Sequence, residues 1–123
     1  MMDVAAGNAE LDPHLEAVRA SVRAGFRFRH LPDADDVHAL QGFRVLSGAM
    51  DVYLARAADD ALGARYRLED LQGPSPAALW HRHGTVAEVV TALLELPEHG
   101  TPKAPKLAHA RPDGLWVPHG ANP

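Results

Sequence analysis

The chain has 123 residues, a net charge of −4 and a hydrophobic fraction of 46%, which fit one small domain. It contains no cysteine, which excludes a disulfide framework and a thiolate metal site. No apolar run approaches the ~18 residues of a membrane span, and a basic-then-apolar signal peptide is absent. We therefore expect a soluble cytoplasmic protein that does not bind membranes.

The basic residues are ten arginines and two lysines, and isoleucine is missing. GC-rich codons produce this usage, so the composition indicates a bacterial, high-GC genome. Because the net charge is negative, a general attraction to nucleic acid is not favoured, although local positive charge could still bind it.

The N-terminal part of the chain predicts a disordered segment followed by a helix. Residues 1–10 are small and polar, whereas Asp12 and Pro13 form a good N-cap and first-turn pair. We expect a helix over 13–24. Its apolar residues recur on one face, which consists of Leu11, Leu15, Val18 and Val22.

Alternation of apolar and polar residues then predicts five strands. Gly42 marks a bulge or a close approach of two backbones, and Ser47-Gly48 predicts a hairpin turn. Residues 51–61 could instead form a helix because they are rich in alanine, but the alternation that follows them favours strands. The predicted strands are 26–31, 37–46, 50–57, 62–68 and 77–83.

The second helix has the clearest local signal in the chain. Thr85 followed by Glu88 is typical of a capping box, so we expect a helix over 86–96. Six prolines in residues 97–123 predict an extended tail.

This order predicts an α+β fold, in which two helices cover one face of an antiparallel meander sheet of about five strands. The single domain would span 11–97, after a disordered N-terminus at 1–10. An extended Pro-rich tail over 98–123 would follow it. The other face of the sheet would meet water, a partner or the tail.

Many arginines fall on the predicted strands, whereas carboxylates gather in loops. If these arginines share the open face beside Trp80, they could hold an anionic ligand or stack with single-stranded nucleic acid. Alternatively, they form a solvated face that pairs with neighbouring carboxylates. The residues concerned are Arg27, Arg29, Arg44, Arg65, Arg67 and Arg82.

His81 and His83 lie two residues apart on a predicted strand, so their side chains share one face. Two imidazoles at this spacing could hold a metal ion if a third ligand were near, or they could be ordinary strand residues. No catalytic residue and no cofactor is predicted. The candidate third ligands are His30, His38, Asp51 and Glu69.

The tail contains one apolar cluster, made of Leu115, Trp116 and Val117, which we expect to dock on this chain or on a partner. The favoured hypothesis is therefore a non-enzymatic interaction or accessory protein. It would present the arginine and aromatic face and the tail to a protein partner or to a second copy. The alternatives are a binder of an anionic ligand or nucleic acid, and a metal-dependent enzyme that uses His81 and His83.

Overall fold

A computed structural model describes the backbone of residues 2–32 and 38–108, and the side chains of residues 12–30 and 39–108. Two helices, five strands and one short 3-10 helix follow one another along the chain. They are α1 (Met2–Arg23), β1 (Arg27–Pro32), β2 (His38–Leu46), β3 (Ala49–Ala57), β4 (Asp60–Arg67), the 3-10 helix (Leu68–Gln72), β5 (Trp80–Gly84) and α2 (Val86–Glu95).

The strands form one antiparallel sheet in the order β1-β2-β3-β4-β5, which confirms the predicted meander and the α+β class. Ser47 and Gly48 connect β2 to β3 with φ values of 56° and 85°. Two successive positive φ values match the right-handed twist of a hairpin. The alternative helix over 51–61 is wrong, because these residues form β3 and the start of β4.

Two glycines allow close packing on the helix side of the sheet. A Cβ at Gly42 would lie 2.8 Å from Cε2 of Tyr53, and one at Gly63 would lie 2.7 Å from Cγ1 of Val89. The pairing of β2 continues past Gly42 without interruption. Gly42 is therefore a point of close approach and not a bulge.

The main core lies between this side of the sheet and the two helices. Tyr53 occupies its centre, where Phe26 and Phe28 pack against the ring. The hydroxyl of Tyr53 lies 2.8 Å from that of Ser21 on α1, which satisfies both buried groups. Burial raises the pKa of Tyr53, and the hydrogen bond with Ser21 offsets part of this rise.

Helix α1 differs from its prediction in both its start and its buried face. It begins at Met2, so Asp12 and Pro13 lie inside the helix, and the predicted N-cap at Asp12 is wrong. Residues 2–10, where we expect disorder from the sequence, belong to the same helix.

The predicted core stripe of α1 is wrong at two positions, since Leu15 and Val22 are 46% and 54% exposed, whereas Val18 does pack against the core and the side chain of Leu11 lies outside the described residues. Ala17 and Ser21 are buried in their place. Their small side chains allow the helix backbone to lie close to Tyr53.

Helix α2 has the predicted capping box. The backbone N–H of Thr85 donates to Oε1 of Glu88 at 3.0 Å, and the N–H of Glu88 donates to Oγ1 of Thr85 at 3.1 Å. In addition, the backbone N–H of Ala87 donates to Nδ1 of His14 at 3.1 Å. A side chain of α1 therefore satisfies one of the free amides at the start of α2.

A second core cluster lies on the opposite side of the sheet. Met50, Val52 and Tyr66 are buried there beneath Leu71 of the 3-10 helix and Ala78. Burial raises the pKa of Tyr66 to about 12. Part of the face that the helices leave open is thus covered by the connection between β4 and β5.

Candidate functional site

The structure divides the predicted arginine face between the two sides of the sheet. Phe28 points toward Tyr53 on the helix side, so Arg27 and Arg29, its neighbours along β1, point to the other side. The remaining predicted residues lie at strand positions whose side chains point toward the helices. These residues are Arg44, Arg65, Arg67, Trp80 and Arg82.

Arg44 and Arg65 belong to a buried ion-pair network around Asp51. Arg65 binds this carboxylate with Nε at 2.6 Å from Oδ1 and Nη2 at 3.1 Å from Oδ2. Arg44 adds a third hydrogen bond, from Nη2 to Oδ2 at 3.1 Å. The side chains of Arg65 and Asp51 are only 3% and 4% exposed, and that of Arg44 is 18% exposed.

The same two arginines also bind the chain at the ends of both helices. Nη1 of Arg44 donates to the carbonyl oxygen of Ala24, one residue after α1, at 3.0 Å. Nη1 of Arg65 donates to that of Pro97, just beyond α2, at 2.6 Å. Cations at helix C-termini are favourable because the carbonyl groups there carry partial negative charge. The network therefore joins the sheet to the helices and uses these arginines internally.

The other members of the predicted face have separate surroundings. Arg67 pairs with Asp70 at 3.0 Å near the 3-10 helix. Trp80 packs against the helix-side core, whereas Arg82 is exposed beside α2. Arg27 is exposed on the opposite side of the sheet. The structure thus does not gather the six arginines into one surface.

His81 and His83 are both exposed on β5 and share the side that faces away from the helices. Asp51, one candidate third ligand, lies on the helix side and is bound by Arg44 and Arg65. Within residues 12–30 and 39–108, no group of three His, Asp or Glu side chains is placed to hold a metal ion.

Leu115, Trp116 and Val117, the predicted tail anchor, lie outside the described residues. Exposed apolar side chains do occur elsewhere, and two of them lie on one helix. Leu15 and Val22 are seven residues apart, which is two turns of α1, so they share one side of it. We refer to Leu15, Val18 and Val22 as the α1 flank. Within this flank, Val18 is half-buried and packs against the core, whereas Leu15 and Val22 are exposed.

Comparisons with known proteins suggest no function. No protein-family model matches the chain, and neither a curated protein nor a solved structure shows significant similarity to it. Neither helix of the described ranges is apolar enough over a sufficient length to cross a membrane.

Proposed function

We propose that this protein is a non-enzymatic interaction module that pairs with a second copy of itself through the α1 flank. The observation that carries the proposal is the exposure of Leu15 and Val22 on one side of the helix. A single exposed apolar residue needs no explanation, but a pair at two-turn spacing offers a seam for another helix. Tertiary packing within the described chain leaves this seam uncovered.

The sequence of α1 supports a second copy as the partner. Positions 15, 18 and 22 follow the spacing of apolar residues in a helix–helix seam. In an antiparallel pair, Leu15 of each helix would contact Val18 of the partner subunit. A two-fold axis would then repeat every contact, as in most homodimers.

Charges beside the seam are complementary in the same arrangement. Asp12 and Arg19 are exposed and lie seven residues apart on the outer border of the α1 flank. Antiparallel pairing would bring Asp12 of each subunit near Arg19 of the partner subunit, twice per dimer. Among the residues whose side chains the structure describes, Arg19 makes a weak contact with the exposed Glu16 at 3.7 Å. Such surface pairs contribute little, so Arg19 can change partners.

The proposal keeps the interaction role expected from the sequence but moves it to another surface. Arg44 and Arg65 are committed to Asp51, which removes the centre of the expected arginine face. The hypothesis of an anion or nucleic-acid binder loses its main support for the same reason. Docking of the tail through Trp116 remains a separate proposal.

Sedimentation equilibrium tests the pairing directly. At concentrations up to about 100 μM, the full chain should show twice its mass of 13.2 kDa, whereas Leu15→Glu and Val22→Glu should be monomeric. Leu46→Glu is the matched control, because Leu46 is 45% exposed but lies on β2. Circular dichroism should show that all variants remain folded.

A charge exchange tests the orientation of the two helices. Asp12→Arg and Arg19→Asp should each weaken the dimer, and the double variant should restore it. A monomeric wild-type chain, or a dimer that Leu15→Glu leaves intact, would contradict the proposal. A double variant weaker than both single variants would exclude the antiparallel arrangement.

A further inference from the structure

Three neighbouring strands carry a buried row of side chains on the side of the sheet that faces away from the helices. Gln41 on β2 pairs with Leu54 on β3, and Leu54 pairs with Leu62 on β4. Tyr53 and Gly63, which follow or precede these leucines along the strands, face the helices, so the row faces the other way. We refer to Gln41, Leu54 and Leu62 as the outer row. Their exposed fractions are only 0%, 5% and 1%.

The elements described above do not cover the outer row. Both helices pack on the other side of the sheet. On the same side as the row, the 3-10 helix and Ala78 cover a cluster that includes Met50 and Tyr66 but neither of the two leucines. The next residue across the sheet, His83 on β5, is itself exposed. Because a leucine on a bare sheet face is accessible to water from above, burial of this row requires another segment over it.

Two segments longer than one residue lie outside the described backbone, 33–37 and 109–123. Residues 33–37 join β1 to β2 and include three aspartates. Leu62 lies two strands beyond β2, roughly 10 Å away at about 4.8 Å per strand, and a short acidic connection does not suit it. Residues 109–123 contain the apolar cluster of Leu115, Trp116 and Val117. The second segment is therefore the better cover.

This tail also leaves the described chain close to the outer row. Leu107 and Leu79 line one shallow depression, and the backbone N–H of Leu79 donates to the carbonyl oxygen of Arg65 at 2.7 Å. Arg65 is three residues from Leu62 along β4, which is roughly 10 Å at about 3.3 Å per residue. Residues 108 and 115 are seven positions apart, and an extended segment of that length spans about 22 Å at about 3.1 Å per residue. The apolar cluster can thus reach the row.

We propose that the outer row binds the C-terminal segment 109–123 of the same chain, with Trp116 as the anchor over Leu54 and Leu62. An indole offers a large apolar area to these two leucines. Covalent attachment gives the segment a high effective concentration at the row, which favours it over a second copy or another protein. Prolines in the segment reduce the entropy lost when it becomes ordered. This intramolecular site lies on the sheet and does not depend on the α1 flank.

Paramagnetic broadening in NMR tests the contact. Because the chain has no cysteine, a nitroxide attached to His119→Cys labels the tail at one position, three residues from Trp116. The amide signals of Leu54 and Leu62 should lose most of their intensity, whereas that of Ser21 on the helix side should keep its intensity. Full signals at both leucines, or equal losses on both sides of the sheet, would overturn the proposal. The same pattern should persist in Leu15→Glu, which separates this test from that of the α1 flank.

A mixed sample shows whose tail occupies the row. Isotope-labelled chain without nitroxide is mixed with unlabelled chain that carries it. The signals of Leu54 and Leu62 should then remain, because each tail covers the row of its own chain. Their loss in the mixture would overturn the proposal, since the occupant would be the tail of a second copy.

Thermal unfolding of Trp116→Ala tests the anchor. Loss of the docked indole should lower the melting temperature by at least ~5 °C. Leu46→Ala is the matched control, because Leu46 is a large apolar residue that is 45% exposed, and it should lower the melting temperature by less than ~2 °C. Equal melting temperatures for Trp116→Ala and the wild-type chain would contradict an anchoring role for this residue.

Discussion

The guanidinium group of Arg65 holds the carboxylate of Asp51 at two points, with Nε 2.6 Å from Oδ1 and Nη2 3.1 Å from Oδ2, in a part of the core that is almost fully buried. This fork-to-fork geometry satisfies both partners and compensates for the loss of water. Arg44 brings a second positive charge to the same carboxylate. Asp51 is therefore an anion held between two buried or partly buried cations.

Removing Asp51 should destabilise the fold strongly. Asp51→Ala would leave Arg65 buried without its counter-charge, and we expect a loss of ~3–5 kcal/mol in the free energy of unfolding. Asp70→Ala is the matched control, because the Arg67–Asp70 pair is about one-third exposed and should contribute less than ~1 kcal/mol. Urea denaturation of both variants measures the difference. Similar losses in the two variants would contradict the structural role of the network.

The sequence predicted the strands that hold this network but not the network itself. Alternation along β4 correctly placed Arg65 and Arg67 on one side of the sheet. However, most of β3 is buried on both sides, so its residue pattern does not show which side chains point toward the helices. The useful signal was Asp51, a lone carboxylate in a mostly apolar strand. Such a residue needs a buried partner. Only the register, in which Asp51 faces Arg65 and Arg44, identifies those partners.

The face of α1 was mispredicted for a different physical reason. Hydrophobic periodicity assigned the larger side chains, Leu15 and Val22, to the core. Close packing over Tyr53 instead selects Ala17 and Ser21, since a smaller side chain brings the helix nearer to the sheet. Side-chain size along a single sequence does not reveal the distance between α1 and the sheet. Because Leu15 and Val22 are left out of the core, they form the exposed α1 flank on which the proposed self-association rests.

Leucine-to-alanine variants on the two helices should separate core from surface. Leu93 of α2 is 0% exposed, so Leu93→Ala should lower the free energy of unfolding by ~2–5 kcal/mol. Leu15→Ala makes the same truncation at a site that is 46% exposed within one chain. When the monomer is denatured at low protein concentration, Leu15→Ala should lower the free energy of unfolding by less than ~1 kcal/mol. If Leu15→Ala lowers the free energy of unfolding as much as Leu93→Ala under these conditions, the assignment of Leu15 to the exposed side of α1 is wrong.

The capping box should make the stability of α2 depend on pH. A hydrogen bond from the backbone N–H of Thr85 is the main cause that lowers the pKa of Glu88 below its ordinary value of 4.5, and the nearby Arg82 contributes. The folded chain therefore favours the charged carboxylate more than the unfolded chain does. This contribution is fully present above pH 4.5 and disappears as the pH falls through the lower, folded-state pKa.

Glu88→Gln should consequently flatten the acid side of the stability curve. Glutamine can still accept the hydrogen bond from Thr85, so the cap keeps its shape but no longer titrates. Between about pH 5.5 and about pH 3, the melting temperature of Glu88→Gln should fall less than that of the wild-type chain. Thr85→Ala is the control: it removes the hydroxyl and costs ~1 kcal/mol at every pH, but it retains the backbone N–H that binds Glu88. Its curve should thus lie below the wild-type curve and keep most of the acid slope. Parallel wild-type and Glu88→Gln curves would show that this carboxylate does not stabilise the start of α2 through its charge.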